Sequence, residues 1–137
     1  MKALIDSGPM VALFNARDFH HREALAFVKS WAFELVTTLP SVTEVVYLLR
    51  SCPPAQEDYL EWIVRGGVRI ADVVVDDLFQ IKELMRKYSD RPMDFADGTL
   101  VAVAQRDDIL NIATFDSDFE FYRTKSKKKL VNVFMKR

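Results

Sequence analysis

Short apolar runs recur along this chain between longer stretches of mixed polarity, and each run predicts a strand. The opening run, Met1 to Ile5, is too short and too continuously apolar for an amphipathic helix, so it predicts a buried strand. Similar runs predict further strands at Leu35 to Thr38, Val68 to Ala71, Asn111 to Phe115 and Leu130 to Phe134.

The stretches between these runs carry apolar residues at helical spacing. Asp77 to Tyr88 is the plainest case, because its apolar side chains fall on one stripe. The other predicted helices run from Pro9 to about Asn15, His20 to Trp31, Ser41 to Leu49, Ala55 to Arg65, Asp94 to Gln105 and Asp118 to Arg123. This alternation predicts a three-layer α/β/α fold with a central, mostly parallel sheet of about five strands.

Composition narrows the class of protein. The 137 residues fit a single domain spanning 1–137, and half of them are hydrophobic, which predicts a globular fold. No apolar stretch is long enough to cross a bilayer, and Asp6 interrupts the first one before it resembles a signal peptide. Cys52 is the only cysteine, so no internal disulfide can form and we expect a cytoplasmic protein.

Charge is close to balanced overall but unevenly distributed. The net charge is −1, so the overall charge does not by itself indicate a nucleic-acid partner. Its C-terminal segment is nonetheless basic, through Arg123, Lys125, Lys127, Lys128, Lys129, Lys136 and Arg137. Such a run is usually a solvated turn, and it can also bind RNA phosphates.

Four carboxylates occupy positions where an α/β fold forms its sites. Asp6 and Asp116 each follow a predicted strand, while Glu44 and Asp97 lie in the first turns of predicted helices. Sites in open α/β sheets form beyond the carboxyl ends of the strands. Like charges brought together there repel one another unless a cation lies among them, and Mg²⁺ prefers oxygen ligands. The pattern therefore predicts a Mg²⁺-dependent enzyme.

Each of these acids also has a local interpretation. Asp6 precedes Gly8 and Pro9, where aspartate is common in turns. Glu44 follows Ser41 by three residues, which matches a capping box at the start of a helix.

The remaining acids have similar alternatives. Asp94 and Asp97 suit the positive end of a helix, and their spacing also places them on one helix face, as a shared metal would need. Asp116 and Asp118 fit as caps of the next short helix.

In four segments the chain resembles the PIN domain, and within that superfamily the VapC-type toxins of toxin–antitoxin pairs. The matching segments are Leu4 to Pro9, Thr43 to Val45, Pro92 to Ala102 and Ala113 to Phe119, in the family's order. The resemblance implies a PIN-like fold and an endoribonuclease that depends on Mg²⁺ or Mn²⁺. By position it implies an acidic quartet of Asp6, Glu44, Asp97 and Asp116.

The resemblance also suggests roles around that quartet. Asp6 and Asp97 would be the main metal ligands, with Glu44 and Asp116 completing the set directly or through water. Asp94 and Asp118 would lie at the margin as further ligands or supporting groups. The hydroxyls of Ser7 and Thr114 would orient the ligands.

Partners follow from the same resemblance. It implies an RNA substrate, a cognate antitoxin and a homodimer. The apolar residues Leu48, Leu49, Trp62 and Ile63 lie on short helices that a small sheet does not fully cover, which agrees with a dimer. A non-catalytic PIN-like binding or assembly module is the alternative.

One residue departs from the family pattern. Gly98 stands where alanine is more usual, and glycine there should weaken the helix by roughly 1 kcal/mol.

Overall fold

The structure, a computed structural model, describes residues 1–30 and 34–134, so Trp31, Lys136 and Arg137 lie outside the described residues. The described strands are β1 (Lys2–Ile5), β2 (Glu34–Thr38), β3 (Arg69–Ala71), β4 (Asn111–Ala113) and β5 (Val131–Asn132). The described helices are α1 (Ser7–Phe14), α2 (His21–Ser30), α3 (Leu39–Leu48), α4 (Pro53–Val64), α5 (Asp77–Lys87) and α6 (Phe95–Asp107), with a 3-10 helix at Ser117–Glu120. None of these helices is long and apolar enough to span a bilayer.

The five strands form one parallel sheet in the order β3-β2-β1-β4-β5. The central strand β1 pairs with both neighbours, so Leu4 lies opposite Val36 on one side and Ile112 on the other. Because every strand runs the same way, their carboxyl ends share one edge of the sheet. The predicted fold class is confirmed.

Side chains of β1 alternate between the two faces of the sheet, and each face has its own core. Leu4 packs in one core with Leu84 of α5 and Leu100 of α6. Ala3 and Ile5 belong to the other core, which includes Met10 of α1, Val45 of α3 and Tyr59 of α4. Helices therefore cover both faces, which gives the three predicted layers.

Helix α3 begins two residues before its predicted start. Its N-cap is Thr38, and Pro40 lies in the first turn, where the fixed φ of proline favours a helix start. Ser41 consequently lies inside the helix and is fully buried. The capping box predicted for Ser41 and Glu44 is wrong, which leaves the Glu44 side chain available to the site.

The strands and helix near the C-terminus are shorter than predicted. β4 ends at Ala113 rather than Phe115, and β5 covers only Val131–Asn132. Phe115 stacks between the rings of His20 and Phe134, at centroid distances of 4.0 and 4.6 Å. Phe115 and Phe134 therefore pack against other rings beyond the ends of their strands. The helix predicted from Asp118 to Arg123 is only the 3-10 turn Ser117–Glu120.

Gly98 has a packing role that its low helix propensity conceals. A Cβ atom at this position would lie 2.9 Å from Cγ2 of Ile81 on α5. Glycine therefore allows α5 and α6 to approach closely, at the cost to helix stability expected from the sequence.

The four residues that suggested a dimer differ in exposure. Leu49 is buried in the core, so its use in that argument is wrong. Trp62 and Ile63 are half-buried and pack against the same core. Only Leu48, at 57% exposed, presents a free apolar surface.

Candidate active site

Asp6 is fixed at the central carboxyl end of the sheet. It follows β1 and caps α1, where Oδ1 accepts a hydrogen bond from the Ser7 backbone N–H at 2.8 Å. Its other oxygen, Oδ2, accepts from the Thr114 hydroxyl at 2.9 Å. The residue is only 5% exposed. Two neighbouring strand ends therefore hold this carboxylate in one orientation.

Thr114 links two of the predicted acids. Besides donating to Asp6, its hydroxyl oxygen accepts a hydrogen bond from the Asp116 backbone N–H at 2.9 Å. Asp116 Oδ1 in turn accepts from the Asp118 N–H at 2.9 Å and caps the 3-10 helix. These contacts are those of a residue that orients the carboxylates around it, the role suggested for Thr114.

Asp94 and Asp97 lie at the start of α6. Asp94 is the N-cap rather than a member of a helix face, and its Oδ1 accepts from the Asp97 backbone N–H at 2.8 Å. Asp97 is buried at 7% exposed. Burial raises the pKa of Asp97 to about 8, and the charges of Asp6, Asp94 and Asp116 add to that effect.

Glu44 approaches the same group from α3. Burial raises the pKa of its carboxyl, and the nearby charge of Asp94 raises it further, whereas a hydrogen bond from the Ser7 hydroxyl lowers it. The contact with Ser7 agrees with the supporting role suggested for that hydroxyl. Glu44 therefore points to the sheet edge and not back along its own helix.

The five acids influence one another strongly enough to count as one site. They are called the acidic cluster below and comprise Asp6, Glu44, Asp94, Asp97 and Asp116. Burial raises the pKa of Asp6 to about 6, the Asp116 and Asp94 charges add to the rise, and the hydrogen bonds from Ser7 and Thr114 oppose it. The structure thus brings the whole predicted quartet together, with Asp94 among them.

Asp118 is directed elsewhere. Its Oδ1 lies 3.7 Å from Nη1 of Arg91, in the turn between α5 and α6. The Arg91 guanidinium carbon lies 3.5 Å from the centroid of the Phe121 ring. Sequence reasoning missed Arg91, and the available signal was a cation three residues before Asp94.

Tyr122 is a second residue that sequence reasoning missed. It is fully buried, and its hydroxyl has no hydrogen-bond partner within the described ranges. Burial raises the pKa of this phenol, and the charge of Asp97 adds to the rise. Tyr122 therefore lies close to the acidic cluster, where nothing in the apolar pattern of its segment would have placed it.

The donor set fits a hard divalent cation in kind, because every group in the acidic cluster offers carboxylate oxygens and the cluster repels itself without a cation. Within residues 1–30 and 34–134, no three such groups converge closely enough to hold an ion as they stand. One oxygen each of Asp94 and Asp116 already accepts a backbone hydrogen bond. An ion would therefore have to draw the carboxylates closer together.

Comparison with known proteins agrees with this fold. A family model described as the PIN domain matches residues 3–126. The structure is similar to that of VapC20 from Mycobacterium tuberculosis, a toxin that cleaves the sarcin–ricin loop, with 28% identity, a TM-score of 0.78, and coverage of 85% of this chain and 91% of that one. No match was found among curated protein sequences.

Two further structures share the fold at lower identity. A toxin–antitoxin complex from Klebsiella pneumoniae has 22% identity and a TM-score of 0.62, covering 85% of this chain and 89% of that one. VapBC2 from Rickettsia felis, bound to a DNA fragment from its promoter, has 14% identity and a TM-score of 0.61, covering 96% and 97%.

Proposed function

The chain belongs to the PIN domain family, and from that premise we propose that it is a Mg²⁺- or Mn²⁺-dependent endoribonuclease that hydrolyses RNA phosphodiester bonds. The observation that carries the proposal is the acidic cluster, in which Asp6 and Asp97 are buried and the pKa of Asp97 is raised to about 8. Burying two carboxylates lowers the stability of the fold unless a positive charge neutralises them. A bound cation provides that charge.

The residues of the acidic cluster have different roles in this proposal. Asp6 and Asp97 would be the main ligands of the ion, and Glu44 and Asp116 would complete the set. A bound divalent ion supplies an activated water and neutralises charge on the phosphate. We assign the proton from the attacking water to Glu44, because burial and the charge of Asp94 raise the pKa of its carboxyl and make it a stronger base than an ordinary glutamate.

The supporting hydroxyls keep this arrangement in place. Thr114 donates to Asp6 and so fixes the orientation of one main ligand. Ser7 contacts Glu44 and restrains the carboxylate that accepts the proton.

We further propose that the nuclease is the toxin of a toxin–antitoxin pair. The similarity to VapC20 at 28% identity supports this, as does the harm that a free ribonuclease does to the cell that makes it. The acidic cluster would also attract a guanidinium, which can bind two carboxylate oxygens at once. A small antitoxin that delivers an arginine or lysine to the cluster would therefore block cleavage and compete with the metal.

The test is RNA cleavage by Asp6→Asn and Asp97→Asn variants at matched Mn²⁺. We expect each to lose at least about a hundredfold in rate, because each removes a carboxylate while keeping its shape. Asp107→Asn, at the exposed far end of α6, is the matched control and should cleave like the wild type.

The same variants address the toxin assignment and its alternative. Expression of the wild type alone should arrest growth, and expression of Asp97→Asn should not. If the wild type melts at the same temperature with and without Mn²⁺ and leaves RNA intact, the chain is a non-catalytic module, because a ligand of the folded state must stabilise it.

A further inference from the structure

Arg91, three residues before Asp94 of the acidic cluster, is held in place by an aromatic ring and a carboxylate. Its guanidinium lies 3.5 Å above the Phe121 ring and 3.7 Å from Asp118 Oδ1, and its backbone N–H donates to the carbonyl of Tyr88 at 3.0 Å. A guanidinium fixed by both an aromatic ring and a carboxylate is already ordered, so it loses little further freedom when it binds an anion.

The ion pair that Arg91 forms also distinguishes it from the other cations. Among the described residues, Arg91 is the one cation that forms an ion pair with any of the six predicted site carboxylates, and that carboxylate is Asp118. Arg91 therefore offers an anionic strand a positive charge close in the chain to a group of carboxylates.

A groove of about 510 Å³ lies between α5 and residues 123–127. Four cations line it, Lys87, Arg123, Lys125 and Lys127, against two acids, Asp76 and Glu83. We call this the basic groove. Its cations carry twice the charge of its acids, in a chain whose net charge is −1.

The basic groove and Arg91 are built on the same two segments. The backbone N–H of Arg123 donates to Tyr88 Oη at 2.9 Å, and the Tyr88 and Tyr122 rings meet edge to face at 5.0 Å. Phe121, which supports Arg91, lies two residues before Arg123 in the same segment. Tyr88 therefore links Arg91 to the edge of the basic groove at Arg123, because it accepts hydrogen bonds from the backbone N–H groups of both residues.

We infer that Arg91 and the basic groove bind the sugar–phosphate backbone of the RNA strand on one side of the bond that is cut. The inference rests on the proposed function, because the acidic cluster supplies the cutting site that the strand must reach. Arg91 is a positioning residue here. Phosphate contacts of this kind set the register of the strand without reading its sequence.

The competing explanation is that Arg91 only neutralises Asp118. Such a role affects folding stability and leaves RNA binding unchanged. The number of phosphates that a protein neutralises is measured by the salt dependence of binding, since each contact to a single strand contributes about 0.7 to the slope of log K against log[salt]. This slope separates the two roles.

The experiment measures binding of a fluorescent single-stranded RNA oligonucleotide by anisotropy over a series of salt concentrations. The parent protein carries Asp97→Asn so that the RNA stays intact. We expect Arg91→Ala to reduce the slope by about 0.7, and Lys125→Ala with Lys127→Ala to reduce it by about twice that. Lys82→Ala is the matched control, because Lys82 is exposed on α5 but does not line the basic groove, and its slope should equal the parent's.

Arg91→Lys is a second variant that keeps the test valid if Arg91→Ala does not fold. It keeps the charge but not the planar stack on Phe121, so it should retain the parent slope even if Arg91→Ala is unstable. Equal slopes for Arg91→Ala and Lys82→Ala would overturn the inference, as would a parent that binds no RNA. If RNA binding depends on Arg91 but the wild type never cleaves with Mn²⁺, the proposed function fails, the RNA-binding surface is supported, and its placement beside a cleaved bond is overturned.

Discussion

At the scale of single residues, burial and repulsion of the carboxylates in the acidic cluster should make folding stability depend on pH. The pKa of Asp97 is about 8 in the folded protein, against an ordinary value of 3.8. The folded state therefore binds a proton more tightly than the unfolded state between these two values. The contribution of Asp97 to stability is therefore fully present at and below about pH 4, and it is lost as the pH rises toward 8.

Replacing Asp97 by asparagine should remove this loss. We expect Asp97→Asn to raise the free energy of unfolding at pH 8 by about 2 kcal/mol, because the neutral amide avoids the cost of burying a charge and the repulsion from Asp6 and its neighbours. Near pH 4 the two proteins should differ little. Thermal or urea unfolding at both pH values measures the difference, with Asp107→Asn as the control. A stabilisation that is the same at both pH values would contradict the assigned cause.

Individual site residues differed in how far the sequence could predict them. Asp6 and Asp116 were predictable because each ends an apolar run, and the end of a parallel strand is where a site forms. The direction of the Glu44 side chain was not predictable, because the sequence also matched a capping box. Only the observed start of α3 removes that alternative. Arg91 and Tyr122 depend on how the turn before α6 packs against residues 121–123, which no local pattern encodes.

At the scale of elements, the apolar pattern predicted each strand and α-helix in the described part of the chain, but not every boundary. The apolar pattern indicates which residues are buried. It does not show whether a buried residue lies in a strand or packs against another ring. Phe115 and Phe134 are ring-stacked beyond their strands, so β4 and β5 were predicted too long. The start of α3 was missed because Pro40 begins the helix before the polar residues that resembled its cap.

The packing of α5 on α6 gives a prediction about Gly98. Gly98→Ala gains helix propensity but places a methyl group 2.9 Å from Ile81 Cγ2, and we expect the clash to outweigh the gain. In an Ile81→Ala background the clash is absent, and the same change should stabilise the protein by about 1 kcal/mol.

A double-mutant cycle of urea unfolding curves measures this coupling between the two helices. Opposite signs for Gly98→Ala in the two backgrounds support the close approach of α5 and α6. The same sign and size in both would mean that Gly98 serves another purpose.

At the scale of the whole molecule, the order of strands decides where the chemistry lies. β1 is central and β4 pairs directly with it, so Asp6 and Asp116 emerge side by side although they are far apart in sequence. The alternation of strands and helices predicted a parallel sheet, but it left several strand orders open. The ordered set of short motifs narrowed them, because a family resemblance carries topology that periodicity does not.

The surface of the molecule leads to the last prediction, a homodimer formed through α3. Leu39, Tyr47 and Leu48 on this helix are 60%, 52% and 57% exposed, and an apolar surface of this kind usually marks an interface. We expect sedimentation at micromolar concentration to give a dimer for the wild type and a monomer for Leu48→Glu, since burying an unpaired carboxylate costs several kcal/mol. Val64→Glu, at the 79% exposed end of α4, is the matched control and should remain dimeric. A wild-type monomer would refute the dimer, and a dimer that survives Leu48→Glu would place the interface away from α3.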